Sequence, residues 1–128
     1  MNVLVVDDDV AIRTLVTRVF ARRGDTVQSA VDGEAAIDCL KHHAFDLVVL
    51  DLMMPRTDGF GVLAYLQTLD GTRPKIIVMT AAVPGLVDKV PSEMVVGVLG
   101  KPFDLHALVG LAENAFPTRP ARPTETSP

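Results

Sequence analysis

Two hydrophobic rhythms alternate along this chain. Short, largely unbroken apolar runs at residues 3–6, 47–50, 75–79 and 95–99 suit strands covered on both faces of a parallel sheet. Between them apolar residues recur at helical spacing. Ile12, Leu15, Val16, Val19 and Phe20 form one such stripe, with Arg13, Thr17, Arg18 and Arg22 on its wet side and Gly24 as its stop. Ala35, Ile37 and Leu40 mark the buried side of a helix over 34–42, and Val62, Leu63 and Leu66 that of a helix over 60–69. A last helix over 104–115 opens with Asp104 as an N-cap and buries Leu105, Leu108, Val109 and Ala112. Thr26–Ala30 is more polar and reads as a strand at a sheet edge. Pro84, Gly85 and Pro91 restrict any helix between 85 and 94 to something short, because an interior proline removes a donor and clashes with the preceding turn.

Five strand signals thus alternate with five helix signals, which predicts an α/β fold, a doubly wound parallel sheet with helices on both faces. The stretch LVVLDLMMPRTDG at 47–59 is its centre: a fully buried strand delivers Asp51 at its carboxyl end, and Pro55, Asp58 and Gly59 turn the chain into the next helix. In open α/β sheets ligands bind at that end of the strands. Asp7 and Asp8 follow the first strand, Thr80 the fourth and Lys101 the fifth, so parallel strands bring all of them to the same edge as Asp51.

Composition narrows what that edge can do. At 128 residues the chain is one domain, large enough to bury on the order of two thirds of its unfolded surface. Residues are 48% apolar, yet no run approaches the roughly 20 needed to span a bilayer, and no secretory signal is visible. A single cysteine, Cys39, fits a reducing compartment. A net charge of -4 without a basic cluster argues against nucleic-acid binding. Folded structure is expected over 1–116; residues 117–128 hold four of the nine prolines and no apolar periodicity, and read as a disordered tail.

Three carboxylates at one rim repel one another unless a cation joins them. Their all-oxygen donor set, without His or Cys, selects a hard ion such as Mg²⁺. A metal, the Lys101 ammonium and the Thr80 hydroxyl around Asp51 suit stabilisation of a phosphoryl group transferred onto that carboxylate. The chain has no GxxxxGK loop, so bound nucleotide is not expected. Plainer roles compete at each position: Asp7, Asp8 and Asp9 as helix-capping acids, Asp58-Gly59 as a turn, and Cys39, His42, His43 and His106 as structural or solvated side chains.

The ordered set VLVVDDD, DGEAAI, FDLVVLDLMMPRTDG, VMTA and KPF resembles the response-regulator receiver domain of bacterial two-component signalling, over roughly residues 2–116. The resemblance implies a flavodoxin-like five-stranded sheet in the order 2-1-3-4-5. It implies that Asp51 is the phosphoacceptor, charged by a sensor histidine kinase, a phosphotransfer protein or a small phosphodonor. Asp8 matches the direct Mg²⁺ ligand, Asp7 its water-mediated companion and Met53 a backbone-carbonyl ligand. Thr80 matches the residue that bonds the phosphoryl group and Lys101 the one that pairs with it, with a cis Lys101-Pro102 bond. Such a domain is cytoplasmic, catalyses only its own aspartyl phosphorylation and dephosphorylation, and signals by docking on a downstream protein, as a monomer or a transient phosphorylation-dependent dimer, without nucleic acid or membrane.

Three departures bear on switching. Val98 stands where the family usually has an aromatic, residues 84–91 differ from its regular fourth helix, and Ala82 offers no polar group to orient an attacking water, so fast self-dephosphorylation is not expected. The first two motivate an alternative, a receiver-like interaction module that no longer switches. An aspartyl-nucleophile Mg²⁺-dependent phosphatase is a third reading, opposed by Met53 where it needs an acid and by the lack of a cap insertion.

Overall fold

The computed structural model describes residues 1–54, 57–81, 87–91 and 93–116. Five strands, β1 (Asn2–Val6), β2 (Thr26–Ala30), β3 (Leu47–Asp51), β4 (Lys75–Ala81) and β5 (Val95–Lys101), form one sheet. Its order is β2-β1-β3-β4-β5 and every neighbouring pair is parallel. The helices are α1 (Val10–Arg22), α2 (Gly33–His42), α3 (Gly59–Gln67) and α4 (Leu105–Ala115).

The unbroken apolar runs are explained by two cores, one on each side of the sheet. Leu4, Val6, Val48, Leu50, Ile76 and Val78 point to one face and meet Ala36 of α2 and Val62, Leu63 and Leu66 of α3. Val3, Val5, Leu47, Val49, Ile77 and Met79 alternate with them and meet Val16 and Phe20 of α1 and Leu108 and Ala112 of α4. Successive strand residues face opposite ways, so a strand between two helix layers has no solvent position to make polar. All five residues of β3 are buried accordingly.

Acids set the helix starts. Asp9, Asp32, Asp58 and Asp104 are the N-caps of α1 to α4, each accepting from backbone N–H groups of the first turn. The capping reading therefore holds for Asp9, and Asp58 is a cap with Gly59 as the first helical residue. Gly24 stops α1 with φ +93°, the left-handed region that favours glycine.

Several expectations are revised. Where a short helix was expected between 85 and 94, the described residues hold one turn of 3-10 helix, Val87–Lys89. Ala82, Pro84, Gly85 and the tail 117–128 lie outside the described residues. Leu15, placed on the apolar stripe of α1, is 47% exposed, because the sheet beneath α1 is already covered by Val16 and Phe20. Thr17, placed on the wet side, buries its hydroxyl. In α2 the buried residues are Gly33 and Ala36, while Ala35, Ile37 and Leu40 pack partly buried against the same core as Ala36. At the β5 edge Val96 and Val98 are 36% and 37% exposed. No helix among the described residues is long and apolar enough to cross a membrane.

Candidate functional site

Parallel register aligns the carboxyl ends of the central strands. Val6 pairs with Leu50, Asp51 with Met79, Thr80 with Gly100 and Ala81 with Lys101. The residues that follow β1 and those that end β3, β4 and β5 therefore emerge on one rim. Asp7, Asp51 and Thr80 are buried there, at 0%, 3% and 2% exposure, and Asp8 is exposed. Carboxylate oxygens of Asp7, Asp8 and Asp51 lie within 4.8 Å of one another.

Lys101 bridges two of the three. Its Nζ donates to Asp7 Oδ2 at 2.8 Å and to Asp51 Oδ2 at 3.0 Å. The Lys101-Pro102 peptide is cis. Backbone groups complete the frame: Met53 N–H donates to Asp51 Oδ1 at 3.0 Å and Asp9 N–H to Asp7 Oδ1 at 2.8 Å. The Thr80 hydroxyl is buried and has no hydrogen-bond partner among the described residues. A buried hydroxyl left unpaired costs about 1–3 kcal/mol, so its burial at this rim calls for a partner.

The electrostatics follow from this packing. Burial pushes the Asp51 carboxyl above the usual carboxylate range and the Asp7 charge adds to it; the Met53 N–H and the Lys101 ammonium offset them only in part. Burial works against the charge on Lys101, yet the hydrogen bonds and charges of Asp7 and Asp51 outweigh it, and the Lys101 pKa lies above the usual lysine value. One ammonium thus serves a site holding three carboxylates, and Asp8 is outside its reach as a hydrogen-bond partner. An all-oxygen cluster with one member open to water fits a hard divalent ion that keeps part of its hydration shell.

Asp7, Asp8, Asp51 and Lys101 are brought together at this rim, Thr80 lies near the end of β4 beside them, and Met53 meets Asp51 through its N–H. Sequence reading missed the supports. Arg13 donates through Nη1 to the Asp7 carbonyl at 2.8 Å, although its position marked it as one of several solvated arginines of α1. Gly59 lets α3 start directly under the site, since a Cβ there would lie 2.5 Å from the Asp51 carbonyl oxygen. Gly33 likewise sits against the Thr57 backbone with no room for a Cβ. The DG signals at 32–33 and 58–59 were legible as turns; the close approach behind them was not.

A doubly wound sheet in the order β2-β1-β3-β4-β5, with three acids and one lysine at the carboxyl ends of its strands, is the architecture of response-regulator receiver domains. Residues 3–113 match the response regulator receiver domain family, and the chain belongs to it. Among curated relatives, it is 40% identical over 116 residues to the response regulator MprA of Mycobacterium sp. (strain KMS), covering 85% of this chain and 47% of that protein. The chain thus spans about half the length of the mycobacterial regulators it matches. It is 31% identical over 121 residues to sporulation initiation phosphotransferase F of Bacillus subtilis (strain 168), covering 92% of this chain and 95% of that one. Among solved structures it resembles the response regulator protein TrrA from Thermotoga maritima in complex with Mg(2+)-BeF. That match has TM-score 0.75 and 28% identity and covers 88% of this chain and 96% of that one.

Proposed function

We propose that this receiver domain is a phosphorylation-dependent switch whose phosphoacceptor is Asp51. The carrying observation is the Lys101 ammonium bonded to Asp51 and Asp7 at one rim, beside a buried Thr80 hydroxyl with no partner among the described residues. An Asp51 carboxylate oxygen attacks phosphorus of a phosphohistidine or small phosphodonor. The bond from phosphorus to the donor's nitrogen or oxygen breaks, the donor leaves with that electron pair, and an acyl phosphate remains on Asp51. Met53 N–H fixes the orientation of the carboxylate before attack. Lys101 follows the incoming charge and pairs with a phosphoryl oxygen, and the Thr80 hydroxyl donates to another. Asp7, Asp8, Asp51 and the Met53 carbonyl are the groups that would hold Mg²⁺, which when bound supplies neutralising charge to the phosphoryl oxygens.

The domain catalyses only this modification of itself and its reversal, and it passes the signal by docking on another protein. A sensor histidine kinase or a phosphotransfer protein is the matching donor, and the cytoplasm is the matching compartment. Val98 in place of an aromatic favours transmission by a route other than ring rotation, and its exposure on β5 leaves it accessible to a partner. An inert interaction module would not need Lys101 held by two carboxylates; that ion-pair geometry supports the active switch. Intact-mass spectrometry after incubation with acetyl phosphate and Mg²⁺ tests the reading. One added phosphoryl group that disappears in Asp51→Asn is the expected result, and an unmodified wild-type protein would favour the inert module.

A further inference from the structure

Away from the acidic rim, α1 and the edge strand β2 border a shallow, open pocket of about 330 Å³ lined by Arg13, Thr14, Thr17, Arg18 and Ser29. Helical spacing builds it: Arg13 and Thr17 are one i, i+4 pair and Thr14 and Arg18 another, so two guanidinium groups and two hydroxyls share a face of α1 opposite the Ser29 hydroxyl. No acid lines it. Arg18 makes no hydrogen bond or ion pair with any other described residue. Arg13 uses Nη1 on the Asp7 carbonyl, leaving its other N–H groups uncommitted. The Thr17 hydroxyl is buried without a partner among the described residues. A solvated helix face has no need to gather two cations and three hydroxyls, one of them buried and unpaired among the described residues, around one concavity. Guanidinium forks and hydroxyl donors are the groups that bind oxyanions. Among the described residues no aromatic lines the pocket on which a base could stack, and the volume is at the small end for ligand sites.

We propose that this pocket binds a small phosphate-bearing anion, and that Arg13 couples its occupancy to the acidic rim. Arg13 is the shared element: its Nη1 holds the Asp7 main chain and the residue also lines the pocket. An anion drawn to Arg13 and Arg18 repositions the Arg13 fork and with it the Asp7 carbonyl. The amide of Asp9, which donates to Asp7 Oδ1, registers that movement.

Amide chemical shifts of the full chain, titrated with inorganic phosphate at constant ionic strength without Mg²⁺, test both parts. Saturable shifts of Thr14, Thr17 and Ser29 are expected, accompanied by Asp9. Arg18→Gln weakens the binding about tenfold or more, the loss of a charged hydrogen bond. Arg13→Gln keeps residual pocket shifts and uncouples Asp9. Asp51→Asn binds as the wild type does, which separates this site from the proposed phosphoacceptor. A nucleoside monophosphate binding no tighter than inorganic phosphate identifies the phosphate group itself as what is recognised; markedly tighter binding of the nucleotide overturns the assignment to a small anion. Shifts that do not saturate, or that persist unchanged in Arg18→Gln, overturn the site. Pocket shifts in the wild type without Asp9 overturn the coupling.

Discussion

Lys101 Nζ lies 3.0 Å from Asp51 Oδ2 although their strands are not neighbours, since β4 stands between β3 and β5. The lysine reaches across the end of β4 and meets Asp7 at 2.8 Å as well. Removing the ammonium while keeping the stem, as in Lys101→Met, strips both carboxylates of their counter-charge. It also leaves the incoming phosphoryl group without its protein cation. Asp51 phosphorylation by acetyl phosphate should slow about tenfold to a hundredfold, the worth of a charged hydrogen bond made to the reacting group. Time-resolved intact-mass measurement checks it, and an unchanged rate would remove Lys101 from the reaction.

Asp51 is held with its pKa above the ordinary value of 3.8, burial being the largest cause. The sign of the linkage follows. A folded-state pKa above the unfolded one means that folding binds the proton more tightly, so stability from this group is complete below pH 3.8 and is lost as pH rises through the folded value. Asp51→Asn never ionises and escapes the loss. Thermal unfolding of both proteins should therefore give nearly equal midpoints in acid and a higher midpoint for Asp51→Asn at neutral pH. Mg²⁺ should narrow the neutral gap by stabilising the wild type. A gap that grows toward acid would contradict the direction of the shift.

The parts of this fold that were legible in the sequence are those where periodicity and position carry the information. Leu47–Asp51 has no polar alternation because both its faces are covered, and the run announced that directly. Asp7, Thr80 and Lys101 could be placed at one rim because parallel strands share a polarity, whatever the loops between them do. Arg13, in the first turn of α1, is the arginine nearest Asp7 along the helix, but whether its guanidinium meets the Asp7 carbonyl or water depends on the angle at which α1 leaves β1. Leu15 misled because a stripe of five apolar positions is wider than the strip of sheet left for α1 to cover. The proline-limited segment was legible only as a restriction on helix length, and its described residues hold one turn of 3-10 helix, Val87–Lys89, in place of the short helix expected there.

Gly59 tests how closely the fold and the site are joined. A methyl group there would meet the Asp51 carbonyl at 2.5 Å and the Leu52 Cα at 2.6 Å, both backbone atoms with little freedom to retreat. Gly59→Ala should destabilise the protein by about 1–3 kcal/mol, the usual range for overpacking. Because the displaced backbone also carries Met53 N–H, phosphorylation of the folded fraction should slow too. Gly24→Ala is the comparison. Nothing lies within 4 Å of its added Cβ, but φ is +93°, so that variant loses stability through backbone strain while the Asp51 chemistry is unchanged. Urea unfolding read beside the rate of phosphorylation separates the two effects.

Asp8 and Asp9 are adjacent acids with separable jobs. Asp9 accepts from Ala11 N–H at 2.9 Å and Ile12 N–H at 3.2 Å and so begins α1. Asp8 is exposed, lies with Asp7 and Asp51 in the carboxylate cluster, and makes no hydrogen bond among the described residues. Asp9→Ala should lower stability by about 1 kcal/mol through the lost cap and leave Mg²⁺ affinity nearly unaltered. Asp8→Asn should do the reverse. Without metal it removes one of three mutually repelling charges and leaves stability equal or slightly higher, while Mg²⁺ affinity falls about tenfold or more. Isothermal titration with Mg²⁺, paired with urea unfolding of the same two variants, gives four numbers that must cross in this pattern. Equal losses of metal affinity in both variants would mean that the acidic triplet acts as a diffuse field and that Asp8 has no distinct place at the metal.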